Sequence, residues 1–268
     1  MVRELMEGKH HFLVETCLLT HGLRSVTDEM LLQAWPKELD CIVWIDHGRV
    51  QIGSMEDYIP FRRRADEVRR ISCNSYADAI KNGVSGALTA SGTMRVCQEL
   101  GIPLAVTCGM GGLCDIRGEE LCPDLPALEQ MPVSLISAGP KDMLDVQGTI
   151  GWLQEHGVQV LGTDSDRYTG YIFRSTDVPL SGKLGADLLQ PPGKLLIINS
   201  IPETERIQDL TLLQKGIDAG REAEMQGGMF HPAANAAYAE LTEGWSSVIQ
   251  MKSLIANAML AEKLTKGF

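Results

Sequence analysis

The sequence predicts a single layered α/β domain with a central, mostly parallel sheet and a helical C-terminal part. Three observations lead there. Short apolar runs alternate with helical stretches along most of the chain, the residues after about Thr204 carry helical patterns only, and 268 residues at 44% hydrophobic and 22% charged make an ordinary globular composition. No repeat, low-complexity tract or linker interrupts the pattern, so one domain is expected over 1–268.

The expected strands are Phe12 to Leu19, Cys41 to Ile45, Pro103 to Thr107, Val133 to Ser137, Val158 to Leu161 and Leu195 to Asn199. Each is mostly apolar, as strands buried on both faces are. Between them Asp28 to Trp35, Tyr76 to Asn82, Thr93 to Leu100, Asp142 to Glu155 and Leu184 to Leu189 read as helices. Ala and Leu recur at helical spacing in Ala233 to Leu241 and Ile249 to Leu264, helices that should cap one side of the sheet. In such folds the ligand site lies at the carboxyl ends of the strands. Glu15, Thr107 and Lys141 are placed in or just after expected strands.

Composition narrows the function. With 35 acidic against 24 basic residues the net charge is −11, which opposes a nucleic-acid partner. The one basic run, Arg62-Arg63-Arg64 with Arg69 and Arg70 nearby, reads as a solvated or salt-bridged face. No apolar run reaches the roughly 20 residues that span a bilayer, and the N-terminus has no signal-like core, so a cytoplasmic protein without a membrane partner is expected. Seven cysteines without a C-x-x-C pair suggest reduced thiols, and the spacing of Cys108, Cys114 and Cys122 matches no zinc site.

Two side chains stand out. Lys141 follows the apolar run Val133 to Ser137 at a Gly139-Pro140 turn. Partial desolvation there frees an amine's lone pair to attack a carbonyl, although from position alone a solvated turn lysine is the commoner reading. Glu15 interrupts an apolar run; buried, it must be paired or have a raised pKa suited to general acid chemistry, whereas on an edge strand it would simply face water. Two small-residue loops, Gly86 to Thr93 and Thr107 to Gly112, offer N–H groups and hydroxyls to phosphate or sugar oxygens; the second is not a dinucleotide fingerprint, because Cys114 stands at its third glycine. Glu120 and Asp124 read as the start of a helix.

Five stretches taken together resemble one family. Val14-Glu15-Thr16 through His21-Gly22, Gly86-Ala87 through Thr93-Met94, Gly109-Met110-Gly111-Gly112, Ser137-Ala138-Gly139-Pro140-Lys141 through Leu144-Asp145, and Asn199-Ser200-Ile201-Pro202 are similar to the successive signatures of pseudouridine-5′-phosphate glycosidases, also described as indigoidine synthase A-like. They keep the family's order and spacing over nearly the whole chain, apart from a short deletion after Gly112. The resemblance implies an α/β/α domain, a homotrimer, and a divalent metal, manganese for preference. It implies cleavage or formation of a C–C bond between ribose 5-phosphate and a nucleobase-like partner through an imine on Lys141, with Glu15 as acid/base and Asp124 in proton transfer near the metal. Thr89, Thr107 and Asn199 fall on ligand-contacting positions.

Other positions depart from the family. Arg70 replaces a lysine, Cys114 replaces a histidine with Arg117 as a nearby substitute, Glu120 replaces a metal-ligand aspartate, and Gln250 replaces a base-contacting asparagine one methylene shorter. Chemistry is expected to persist with altered recognition, so that pseudouridine 5′-phosphate itself is a poor substrate. Two alternatives remain: a catalytically weak homologue that binds a nucleotide or sugar phosphate, and an imine-forming sugar-phosphate aldolase.

Overall fold

A computed structural model describes residues 10–116, 119–185, 193–228 and 230–266, leaving out the side chains of 114–116 and 119–120. Its centre is a ten-stranded sheet. The strand order is Gly182–Lys183, Gln159–Gly162, Leu195–Ile198, Ser134–Ser137, Leu104–Val106, Phe12–Val14, Ile42–Asp46, Gly86–Leu88 and Arg69–Ile71, with Arg49–Gly53 paired to Ile42–Asp46. Successive strand residues face opposite layers, as the period of two demands. Phe12, Val14, Leu104, Val106 and Ile197 enter one core with the C-terminal helix Trp245–Thr265. Leu13, Ala105, Leu135 and Leu196 enter a second core under the helices Cys73–Lys81, Ala90–Leu100, Asp124–Gln130 and Val146–Glu155. The expected α/β/α layering and the helical C-terminal part are both present, and no helix among the described residues is long and apolar enough to cross a membrane.

The sheet is parallel from Gly182–Lys183 through Ile42–Asp46, then reverses. Gly86–Leu88 runs antiparallel to Ile42–Asp46, pairing Trp44 with Ala87, and Arg69–Ile71 runs parallel to Gly86–Leu88. Phe12–Val14 pairs with Ile42–Asp46 at Ile42, just before the Gly86–Leu88 pairing begins. The two strands therefore approach one another head-on, and their carboxyl ends meet: Thr16 N–H donates to the Leu88 carbonyl at 3.2 Å, and Leu88 N–H donates to Thr16 Oγ1 at 3.0 Å.

Several sequence expectations change here. The strand expected over Phe12 to Leu19 ends at Val14, and Leu18–Gly22 is a turn of π-helix. Thr16 is held by Leu88 and, through its hydroxyl, by the Val43 carbonyl at 2.8 Å, so the chain has no free ladder to continue along. Glu15 thus lies just beyond a strand end, not within a strand. The helix expected from Asp142 begins at Val146, because the Asp142 side chain is occupied elsewhere; the run Leu184 to Leu189 falls largely outside the described residues, and Leu184 itself is not helical. Glu120 belongs to the strand Glu119–Leu121 instead of a helix start. The arginine run is a salt-bridged face: Arg62 and Arg63 both pair with Asp28, and Arg64 pairs with Asp46. Cys17, Cys41, Cys73, Cys97 and Cys108 are free thiols.

Candidate functional site

Glu15 sits where the two sets of strand ends meet. Its N–H donates to the Val106 carbonyl at 2.9 Å, and the residue is 5% exposed. Burial pushes its pKa up from 4.5 to about 7, against the lowering pull of the Thr107 hydroxyl and the Lys141 charge, and with a further upward push from Asp124. Thr107 Oγ1 makes no well-formed hydrogen bond, so it acts on Glu15 as a nearby dipole. The electrostatics place one ammonium and two carboxylates together.

The backbone around Lys141 is fixed from both sides. Gly139 has φ +114°, and a side chain there would run into the Tyr168 ring at 2.4 Å, so only glycine fits. The Tyr168 hydroxyl donates to the Pro140 carbonyl at 2.6 Å, and Lys141 N–H donates to the Met110 carbonyl at 3.3 Å. Asp142, directly after the lysine, accepts from the N–H groups of Tyr171, Ile172 and Phe173 at 2.8, 2.9 and 3.0 Å and from Ser175 Oγ at 2.6 Å. This single carboxylate ties the lysine turn to the 171–175 segment. Asp142→Asn places an amide N–H against these converging donors. It is expected to cost about 3 kcal/mol, read as a reduced midpoint in urea unfolding.

Asp124 opens the helix Asp124–Gln130 and reaches back to both loops, accepting from Ser91 N–H at 2.9 Å and Gly111 N–H at 3.0 Å. The loop amides expected to cradle a ligand phosphate are in these two cases spent on a carboxylate of the chain itself. A cavity of about 730 Å³ opens over these groups, bordered by Glu15, Lys141, Asp124, Thr89, Gln250 and Arg70 among others. At one side Arg70 stands with Ser72, Asn74 and Ser75 at the N-terminus of the helix Cys73–Lys81, where the guanidinium and the helix dipole favour an anion.

Other expected site residues lie elsewhere. Thr107 is fully buried behind Glu15 and does not border the cavity. Asn199 does not border it either: its Nδ2 donates to Asn257 Oδ1 at 2.9 Å, and Asn257 Nδ2 donates to the Thr107 carbonyl at 2.8 Å. Leu195–Ile198 neighbours Ser134–Ser137, the strand that leads to Lys141, and the Asn199 side chain at its end turns to the C-terminal helix. Arg117 and the side chains of Cys114 and Glu120 lie outside the described residues. Among the described residues no three His, Cys, Asp or Glu side chains are grouped to hold a metal; of the two expected metal ligands the Glu120 side chain lies outside them, and each Asp124 oxygen accepts one N–H bond.

Three cavity residues have no sequence signature beyond ordinary helix or loop chemistry. Cys17 lies beside Glu15, and burial raises its thiol to about 11, leaving it neutral. Tyr171 comes from the segment clamped by Asp142. His231, near the start of Phe230–Leu241, is held well below the usual histidine pKa by burial first and then by the Lys141 and Arg70 charges. The Gly227-Gly228 pair ahead of it, also at the cavity, is the one available hint that the chain approaches a ligand there.

A family model described as "Indigoidine synthase A like protein" matches residues 14–266. A Methylobacterium nodulans protein named pseudouridine-5′-phosphate glycosidase is 27% identical over 275 residues, covering 94% of this chain and 81% of that protein. The structure of an indigoidine synthase A-like protein from Thermotoga maritima superposes with a TM-score of 0.76 at 19% identity, covering 94% of this chain and 91% of the other. The prealnumycin C-glycosynthase AlnA in complex with ribulose 5-phosphate also gives 0.76, at 22% identity, covering 98% and 93%. Both share the layered fold.

Proposed function

The chain belongs to the indigoidine synthase A-like family, and from that premise we propose that it is an enzyme cleaving or forming the C–C bond between ribose 5-phosphate and a nucleobase-like partner through an imine on Lys141. One observation carries the reading: a buried carboxyl raised to about 7 lies in the field of a lysine, both bordering one cavity. A protein that merely binds sugar phosphates needs neither a buried acid nor an amine beside it. An aldolase would use the amine but leaves the resemblance of the other motifs unexplained.

In the cleavage direction Glu15 gives its proton to the ribose ring oxygen as the ring opens, and the Lys141 nitrogen bonds to C1′. The C1′–base bond then breaks with its electron pair staying on the base carbon, which takes up a proton, while the nitrogen lone pair closes the iminium. Water releases the sugar aldehyde and returns the free amine. Asp124, fixed between Ser91 and Gly111 N–H groups, is the second carboxylate available for proton transfer. Synthesis is the same sequence reversed. No step is routed through a metal. Borohydride trapping with ribose 5-phosphate tests the reading directly: a reduced adduct on Lys141 supports it, and its absence at saturating sugar phosphate refutes it.

Arg70 and the N-terminus of Cys73–Lys81 are the proposed phosphate site. Arg70→Ala should raise KM for ribose 5-phosphate roughly 10- to 100-fold, the loss of a charge-assisted contact, with free ribose reacting poorly in wild type and variant alike. An unchanged KM would remove Arg70 from that role. Pseudouridine 5′-phosphate is expected to be a poor substrate, because Gln250 carries a longer amide than the asparagine of the resembling family. A homotrimer belongs to the same proposal; the exposed Trp245 and Met259 on the C-terminal helix supply apolar surface, and sedimentation decides it.

A further inference from the structure

Gln250 lies on the C-terminal helix at the cavity and is 2% exposed, but its amide is turned inward. Its Nε2 donates to the Ser246 carbonyl at 3.2 Å, and its Oε1 is 3.4 Å from the Tyr171 hydroxyl. The Tyr171 oxygen is also 2.8 Å from Cys108 Sγ.

Cys108 Sγ lies 3.2 Å from the Gln250 backbone carbonyl as well as 2.8 Å from the Tyr171 oxygen, and across the second contact either atom can be the donor. The Tyr171 hydroxyl donates to Gln250 Oε1 at 3.4 Å, which leaves its oxygen an electron pair even where the Cys108 thiol donates to it. Burial, followed by the neighbouring Cys108, keeps the phenol pKa well above 10, so it stays a neutral hydroxyl. That electron pair remains for a ligand.

The tyrosine is held at both its backbone and its ring. Tyr171 N–H is bound by Asp142, the residue following Lys141, at 2.8 Å. The ring packs on Gly109, where a side chain would come within 2.6 Å of it, and Gly109 itself borders the cavity. Asp142 therefore connects the reactive amine and the phenol through one carboxylate.

We propose that Tyr171 is the specificity-determining residue for the base: its oxygen accepts a hydrogen bond from a ring or exocyclic N–H, selecting planar nitrogen heterocycles that carry such a donor. This rests on the C-glycosidic reading of the site. A neutral acceptor in a desolvated pocket discriminates strongly, because an N-methylated base both loses the bond and crowds the oxygen.

The test uses the intact chain with ribose 5-phosphate and uracil, 1-methyluracil or 3-methyluracil, scoring C-nucleotide formation as kcat/KM, with borohydride trapping of the sugar alone as control. Wild type should prefer uracil over at least one methyl isomer by about tenfold or more. Tyr171→Phe should lower uracil use about tenfold, change methyl-isomer use less than about threefold, and leave trapping intact. Cys108→Ala, which releases the hydroxyl without touching the ring, should weaken the same preference by a smaller factor and guards against a folding defect in the tyrosine variant. Equal losses on all three bases, a preference that survives Tyr171→Phe, or a wild type that shows no preference would overturn the proposal. Loss of trapping in Tyr171→Phe would assign the hydroxyl to the sugar instead. A wild type that traps no imine removes the functional reading, and this inference with it.

Discussion

Lys141→Ala is expected to abolish turnover, by on the order of 10⁴-fold or more, while the protein remains folded. The nitrogen is the atom that bonds to C1′, and among the described residues no other lysine borders the cavity. Folding should survive because the turn is held through backbone and neighbours: the Tyr168 hydroxyl on the Pro140 carbonyl, the Met110 carbonyl on Lys141 N–H, and the four donors on Asp142. Lys141→Arg should fail equally, since a guanidinium keeps the charge but stays protonated and forms no imine. The measurement is steady-state turnover beside borohydride trapping and circular dichroism. Residual activity above about 1% in either variant contradicts the imine mechanism.

Glu15→Gln should combine a large loss of activity with a gain in stability. Turnover is expected to fall about 10²- to 10⁴-fold, because the amide keeps the shape but has no proton to exchange. The effect should fall on kcat more than on KM; equal loss in both would recast Glu15 as a ligand contact. Stability should move the other way. The folded pKa of about 7 lies above the ordinary 4.5, so the carboxyl's contribution is complete below about pH 4.5 and is lost as pH rises through about 7. At pH 8 wild type should therefore be destabilised by about 3 kcal/mol relative to its state at low pH from this group alone, a loss the glutamine variant does not share. Urea unfolding at pH 5 and pH 8 reads the difference directly. In the cleavage direction wild-type kcat should decline above about pH 7 as Glu15 loses its proton.

Much of this protein can be read along its chain. Phe12, Leu13 and Val14, or Leu195, Leu196 and Ile197, are apolar without interruption, and that pattern specifies strands covered on both faces. The same local chemistry marks Lys141, since a Gly-Pro turn after such a run puts a side chain at a strand end. The C-terminal helices follow from their spacing alone.

The assembly of the site was decided by tertiary structure. Local pattern carries no strand direction, and it is the reversal at Gly86–Leu88 that makes two sets of carboxyl ends converge and sets Thr89 and Arg70 opposite Glu15 and Lys141. The Leu18–Leu19 stretch has the residues of a strand, yet Thr16 ends the ladder by bonding across to Val43 and Leu88, contacts 27 and 72 residues away. Asn199 sits in a recognisable motif, but it is the contact with Asn257, 58 residues away, that turns its side chain to the C-terminal helix. Tyr171 and Gln250 lie 79 residues apart and acquire their roles only by meeting at the cavity. Sequence determined which segments form strands and helices and which residue types could react, because those depend on neighbours a few residues away; pairing direction, burial and proton inventory depend on contacts between distant segments, and only the folded chain supplies them.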